Sequence, residues 1–424
     1  MLVAQDKTLL DRLDQARAQT DKLFEIVKPD SLYDRPIAER HRIVFYIGHL
    51  EAFDWNLLRS QTSLQPFDQG LDQLFAFGID PVDGGLPSDQ PSDWPVLEDV
   101  RRYGARIREE LDAVLDRVPE VLLNTAIEHR LMHAETLAYM LHQLPLEKKI
   151  RRPQADVPGR GQPRSESIDI PEGFVTLGLS RDSAEFGWDN EYDAHAVSVP
   201  AFAIDRYKIT NGQFLEFLRA GGYQDRGLWT DADWEWKARY DVSHPAFWKR
   251  AGDAWHLQTM FDEIPLPLSW PVYVSHAEAS AYARWAGKGL PTEAEWQRAA
   301  FASDSKFPWG SETPGPRHGY FDFERWDPSP VDAFPAARSA FGLDGLLANG
   351  WEWTSSPFEP FDGFKPFPFY EGYSANFFDG KHFVMKGGSP RTDRSMLRRS
   401  FRNWFQPHYP YVYAGFRCVD GGLK

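Results

Sequence analysis

The chain has a single cysteine, Cys418, among 424 residues. One thiol excludes an intramolecular disulfide framework and any metal site built from several cysteines. No Lys/Arg-rich tract is present and the net charge is −15, which argues against nucleic acid and anionic membrane surfaces as partners. No run approaches the roughly 18 uninterrupted apolar residues of a membrane span. The opening residues, MLVAQDKTLLDRLDQ, lack the basic-then-apolar layout of a signal peptide. A soluble, cytoplasmic protein is therefore expected. Aromatic residues, by contrast, are plentiful: 16 Trp, 30 Phe and 16 Tyr, enough to line rigid cavities and to pin irregular loops.

The chain changes character near residue 150. Before it, helical periodicity runs over 5–28, 36–60, 95–117 and 119–143, with a Pro/Gly/Asp-rich connection at 80–95. Four helices with one long connection predict an antiparallel bundle over 1–150. Residues 151–167, rich in Arg, Pro and Gly without periodicity, read as a linker. From 168 to 424 short β-like runs (FVTLGL, AVSVPAFAIDRYKI, PVYVS, HFVMKGG) alternate with turns and two helices, near 210–220 and 275–300. That texture predicts an irregular α+β domain.

The stretch TAIEHRLMHAETLAYMLHQLP, from Thr125 to Pro145, carries His129 and His133. At about 100° per residue, Leu122, Ala126, His129, His133, Leu137, Met140 and Leu144 share one stripe. Two buried imidazoles one turn apart both need polar partners, and a shared divalent metal satisfies both. A helical zinc-protease motif would need Glu directly after the first His, and that place holds Arg130. A carboxylate di-iron bundle would need Glu-x-x-His on two helices, and only one helix here is dense enough. A third ligand comes from ERHRIVFYIGHLEAFDWNLLR (39–59), which offers His49 on a stripe with Phe45, Ala52, Phe53 and Asn56. His41, between Arg40 and Arg42, reads as a solvated residue at the helix start. Three imidazoles suit Zn, Fe, Cu or Ni and leave positions open for substrate or O2.

Five later stretches carry a resemblance: 186–218 (FGWDNEYDAHAVSVPAFAIDRYKITNGQFLEFL), 270–300 (WPVYVSHAEASAYARWAGKGLPTEAEWQRAA), GLLANGWEWTSS, VMKGGS and SFRNWF…YAGFRCV. Together they resemble the formylglycine-generating-enzyme-type domain, an irregular, C-type-lectin-like α+β fold. The first 150 residues, with H…HxxxHxE, resemble a DinB-like metal-binding bundle. In this order the two are similar to the ergothioneine-biosynthesis sulfoxide synthases, non-haem Fe(II) enzymes that use O2 to join a cysteine-type thiol to the imidazole C2 of hercynine.

The resemblance implies an active site between the two domains, with iron on His49, His129 and His133. It gives Glu135 the motif's acidic place, where it would orient a ligand ring or tie down a neighbouring helix. It places betaine binding on Asn403 and Trp404, an aromatic face being a good receptor for a trimethylammonium group. FYEGYS (369–374) matches the stretch with two active-site tyrosines, here Tyr370 and Tyr373. One of them would donate the proton that steers the reaction to C–S coupling instead of thiol dioxygenation. Departures from the family bear on the sulfur donor. Phe405 stands where γ-glutamylcysteine users have Asp, and Gly104 follows Tyr103 where they have Arg. Free cysteine is the expected donor, its carboxylate held by Arg101, Arg102 or Arg106. Met132 replaces a Gln that contacts the histidine substrate in some members. Formylglycine generation uses a pair of active-site cysteines and is not expected of a chain with one, and Cys418 reads as a packed core thiol. A selenoneine-type synthase joining hercynine to a selenium donor is one alternative. A non-catalytic, metal-stabilised ligand-binding protein is the other.

Overall fold

The computed structural model describes residues 8–78, 85–152, 161–301 and 305–421. The start of the first expected helix, part of the 80–95 connection and residues 153–160 of the 151–167 linker lie outside these residues. The chain divides into two compact units at Arg152/Pro153.

The first unit contains the four expected helices as α1 (Leu9–Phe24), α2 (Ile43–Leu58), α4 (Leu97–Asp112) and α5 (Glu120–His142). Thr8 caps α1 with a reciprocal Asp11 contact, which satisfies otherwise orphaned amide donors. The second helix starts seven residues later than its periodicity suggests. A fifth helix, α3 (Gln69–Phe77), precedes the long connection. It buries only Asp72 and Phe75, and its apolar stripe, Leu71, Leu74 and Phe75, covers too few turns to mark a helix by periodicity. Its anchors are polar: Tyr103 Oη donates to Asp72 Oδ1 at 2.7 Å and Trp55 Nε1 to Asp72 Oδ2 at 3.2 Å.

The second unit adds α6 (Asn211–Arg219), α7 (Asp231–Arg239), α8 (His276–Trp285) and α9 (Glu293–Ala300). The periodicity over 275–300 resolves into two helices because Gly287 takes a left-handed φ of 69°, open to glycine at no steric cost. The seventh helix was not expected; only Asp233 on it is buried. The strands are β1 (Ser167–Ile170), β2 (Gly173–Leu177), β3 (His195–Val199), β4 (Phe202–Asp205), β5 (Trp248–Ala251), β6 (Ala254–Gln258), β7 (Glu263–Pro265), β8 (Lys288–Gly289), β9 (Gly350–Pro357), β10 (Phe383–Gly388), β11 (Asn403–Phe405), β12 (Ala414–Gly415) and β13 (Val419–Asp420). They form sheets ordered β1-β4-β13-β8 and β11-β10-β9-β12, a β2-β3 hairpin and a β5-β6-β7 meander. PVYVS is not a named strand, although Val272 and Val274 donate backbone hydrogen bonds to Ile209 and Ala414.

Ile170, Ile204, Trp296, Phe321, Leu343, Leu346 and Val419 centre this unit's core. Cys418 is buried beside it in sequence, its backbone N–H bonded to Asp205 Oδ2 at 3.0 Å. Glu352 on β9 is held by Arg417 at 2.6 Å and Lys208 at 3.0 Å, all three side chains buried. Removing one member of such a buried set costs about 3–5 kcal/mol. The antiparallel pairing Val384↔Trp404 and Met385↔Asn403 places β11, and with it the Asn-Trp pair. Among the described residues, no helix is long and apolar enough to cross a membrane.

Candidate metal centre and aromatic site

In the first unit, α2 and α5 bring His49, His129 and His133 together, with one ring nitrogen from each within 4.8 Å of the others. His49 Nε2 lies 3.3 Å from His133 Nε2. The rings are held by the aromatic residues of the α2 stripe. Phe53 stacks on His129 at 3.4 Å and 9°, and Phe45 stacks on His49 at 4.8 Å and 24°. His129 is buried, whereas His49 and His133 are half-buried.

The donor set fits a divalent metal. Burial is the first cause lowering the pKa of all three imidazoles, His49 to about 4. They are therefore neutral near pH 7, with lone pairs to offer. His49 Nδ1 lies 2.7 Å from the carbonyl oxygen of Phe75, which assigns its proton to Nδ1 and turns the Nε2 lone pair toward His133. Fixing the tautomer of a ligating histidine through its other nitrogen is a common device of metal sites.

The carbonyl comes from α3, the helix that periodicity missed. Its docking depends on Gly48, since a Cβ there would stand 2.4 Å from the Phe75 ring. Gly48→Ala is accordingly expected to destabilise the protein by about 1–3 kcal/mol through overpacking. Urea unfolding of the metal-free protein would measure this, and an unchanged midpoint would contradict it.

His41 is not a solvated helix-start residue. It is half-buried against Phe45 and Trp94, at ring separations of 4.2 and 6.3 Å, ahead of the first turn of α2. Glu135 and Met132 are half-buried positions on α5. Arg101, Arg102 and Arg106 lie on the exposed side of α4, opposite the inward-facing Tyr103 and Ile107. Arg102 pairs with Glu98 and Asp99. Arg106 lies over the Phe67 ring at 4.0 Å. Gly104 faces α2, and a Cβ there would meet Glu51 Cγ at 3.0 Å. An arginine at that position would have to displace the helix contact.

The second unit gathers Tyr370, Tyr373, Asn403 and Trp404 into one aromatic cluster. Trp404 stacks on Phe358 at 4.1 Å and 6°, and meets Tyr373 edge-on at 5.4 Å and 77°. Tyr373 also stacks on Trp188 at 3.9 Å, and Tyr370 lies 5.5 Å from Tyr373. Neither Trp188 nor Phe358 was singled out from the sequence, although WDNE lies inside the stretch that carried the resemblance. Beside these rings, Ser374 donates to Asp189 and accepts from Asn190 Nδ2 at 3.0 Å. Burial, followed by the nearby Asp189 charge, pushes the Tyr370 phenol up to about 12. Asn403 Oδ1 accepts the Trp404 backbone N–H at 2.9 Å. Phe405 points elsewhere and stacks on Tyr409 at 5.2 Å and 12°.

Comparison with known proteins adds to this geometry. Residues 12–144 match the DinB superfamily, and residues 153–421 match the sulfatase-modifying factor enzyme 1-like domain. The chain is 36% identical to the hercynine oxygenase of Mycolicibacterium thermoresistibile over 334 residues, which cover 75% of this chain and 74% of that protein. It is also 36% identical to the hercynine oxygenase of Mycobacterium tuberculosis, over 75% of this chain and 77% of that one. Ergothioneine biosynthesis protein 1 of Neurospora crassa is 27% identical over 93% of this chain, which spans 55% of that longer protein.

Proposed function

The chain belongs to the hercynine oxygenase family, and from that premise we propose that it is a non-haem Fe(II), O2-dependent sulfoxide synthase. It forms a C–S bond between a cysteine-type thiol, in our reading free cysteine, and the imidazole C2 of hercynine. The observation that carries the reading is the cluster of three neutral imidazoles at His49, His129 and His133, one ring nitrogen from each within 4.8 Å of the others. These three residues would hold the iron, which when bound supplies O2 activation and favours the donor's thiolate form.

The chain's own residues do the rest. Phe53 covers His129 and keeps water from that side of the centre. In the second unit, Trp404 offers a ring face to the trimethylammonium group, a contact worth about 0.5–2 kcal/mol. Tyr370, with its phenol held protonated, is the residue we assign to proton donation. Tyr373, buried between Trp188 and Trp404, shapes the wall. Phe405 stacked on Tyr409, and Gly104 against Glu51, leave two family contacts to a glutamyl arm without counterparts. This favours a donor smaller than γ-glutamylcysteine.

One observation favours a second reading. Phe405, Tyr409 and Tyr411 form an aromatic ladder, the last two rings meeting at 5.2 Å and 84°. Ring faces of this kind suit the apolar face of a sugar, as a glycosyl selenium donor would present. The test is a donor screen with Fe(II)-loaded protein, hercynine and O2. A sulfoxide of the C–S adduct formed from cysteine, with O2 uptake, is expected. A C–Se product alone would select the second reading. No adduct with any thiol or selenium donor would overturn both.

A further inference from the structure

Arg130 enters the sequence only as the residue that is wrong for a zinc protease, yet it is among the most completely buried side chains of the protein. It lies on α5 between the two histidines of that helix. Its guanidinium reaches across to α2, where Nη1 donates to Glu51 Oε1 at 3.0 Å and Nη2 to Asp54 Oδ2 at 2.6 Å. Nη2 also donates to the Leu50 carbonyl at 2.9 Å. The contacts sit next to the imidazoles in both chain directions. Arg130 adjoins His129, Leu50 adjoins His49, and Asp54 adjoins Phe53, which stacks on His129. Glu51 is held from a third helix by Arg108 at 2.7 Å, and Arg108 in turn grips Asp21 of α1 at 2.8 Å.

The planar fork of a guanidinium fixes distance and orientation together. A buried ion pair is weak evidence for stability but has an attested use in fixing register. Slipping α5 along α2 by one residue, about 1.5 Å, would break all three contacts and draw the ring nitrogens of α5 away from His49. α5 is buried on nearly every side, so no single buried face marks its register against α2. We propose that Arg130, clamped by Glu51 and Asp54, is the positioning residue that sets the register of His129 and His133 against His49. The proposal rests on the reading that the three imidazoles bind a divalent metal.

Co(II) titration of the full chain tests it, followed by the visible absorption of the bound ion. Wild-type protein should bind one equivalent at the triad. Arg130→Met is expected to weaken binding about 10- to 100-fold, the range typical of outer partners of a metal site, and to alter the spectrum. Arg130→Lys should restore part of the affinity. Lys148→Met removes an ion pair that involves no clamp residue, to Asp34 at 2.9 Å, and should leave Co(II) affinity and spectrum unchanged. If Arg130→Met does not fold, Asp54→Asn and Glu51→Gln carry the same test. Wild-type affinity and spectrum in the folded clamp variants would overturn the proposal. Absence of Co(II) binding by wild-type protein would overturn the underlying metal reading instead.

Discussion

His129→Ala is expected to abolish O2-dependent turnover and to remove the metal-induced rise in Tm, while leaving a folded, metal-free protein. The proposed ligand is the most enclosed of the three, buried under Phe53 at 3.4 Å. Losing one of three donors should exceed the 10- to 100-fold loss that outer partners cause. A ligand that binds only the folded state stabilises it by an amount that grows as the logarithm of one plus its free concentration over Kd. The shift in Tm with added Fe(II) therefore reports the site without reference to activity.

The metal-free protein adds a pH signature with a definite sign. His49 is lowered from 6.5 to about 4 by burial, so the unfolded chain binds more protons than the folded one between these values. Stability should rise with pH across that window and be lost as pH falls from about 6.5 toward 4. His129→Ala leaves this His49 contribution in place. A variant that kept one equivalent of iron and its O2 uptake would remove His129 from the centre. A wild-type site that bound only zinc, with no exchangeable position, would favour a non-catalytic binding module.

How much of this was legible depends on where each contact lies in the chain. The four helices expected in the bundle announce themselves because each sustains a helical pattern over 16 or more residues, and His49 could be found because Phe45 and Phe53 share its stripe. Both rings do stack on the histidines. The third helix escaped because nine residues, with Leu71, Leu74 and Phe75 as their stripe, are too few to establish a period. Its influence on His49 runs through a backbone carbonyl, which no side-chain pattern encodes. Arg130 was visible, but its partners on α2 are 76 to 80 residues away, so nothing local could pair them. The three arginines of α4 illustrate the reverse. Chemistry made them candidates for a carboxylate, while helix geometry puts them on the exposed side.

Tyr370→Phe is expected to lower C–S product formation by about 10²–10⁴-fold, the usual range for losing a general acid, with metal and hercynine affinity nearly unchanged. Tyr373→Phe should cost far less. The two tyrosines differ in setting. Tyr373 is 8% exposed and stacked on Trp188, so its ring is the working part and phenylalanine preserves it. Tyr370 is half-buried, and burial and Asp189 raise its phenol to about 12. A proton held that firmly remains in place throughout the range in which the protein is handled. Loss of activity on the alkaline side, below about pH 12, should therefore not follow Tyr370. In the substituted enzyme the ring still packs near Tyr373 and Trp188, so any decline belongs to the lost hydroxyl. If that hydroxyl supplies the proton that commits the reaction to C–S coupling, oxidised thiol should accumulate as the adduct falls. Product analysis by mass spectrometry, alongside O2 uptake, separates the cases. O2 consumption that persists with cysteine sulfinate as product supports the assignment. An unchanged product ratio in Tyr370→Phe, or a switch appearing only in Tyr373→Phe, would move the role to another residue.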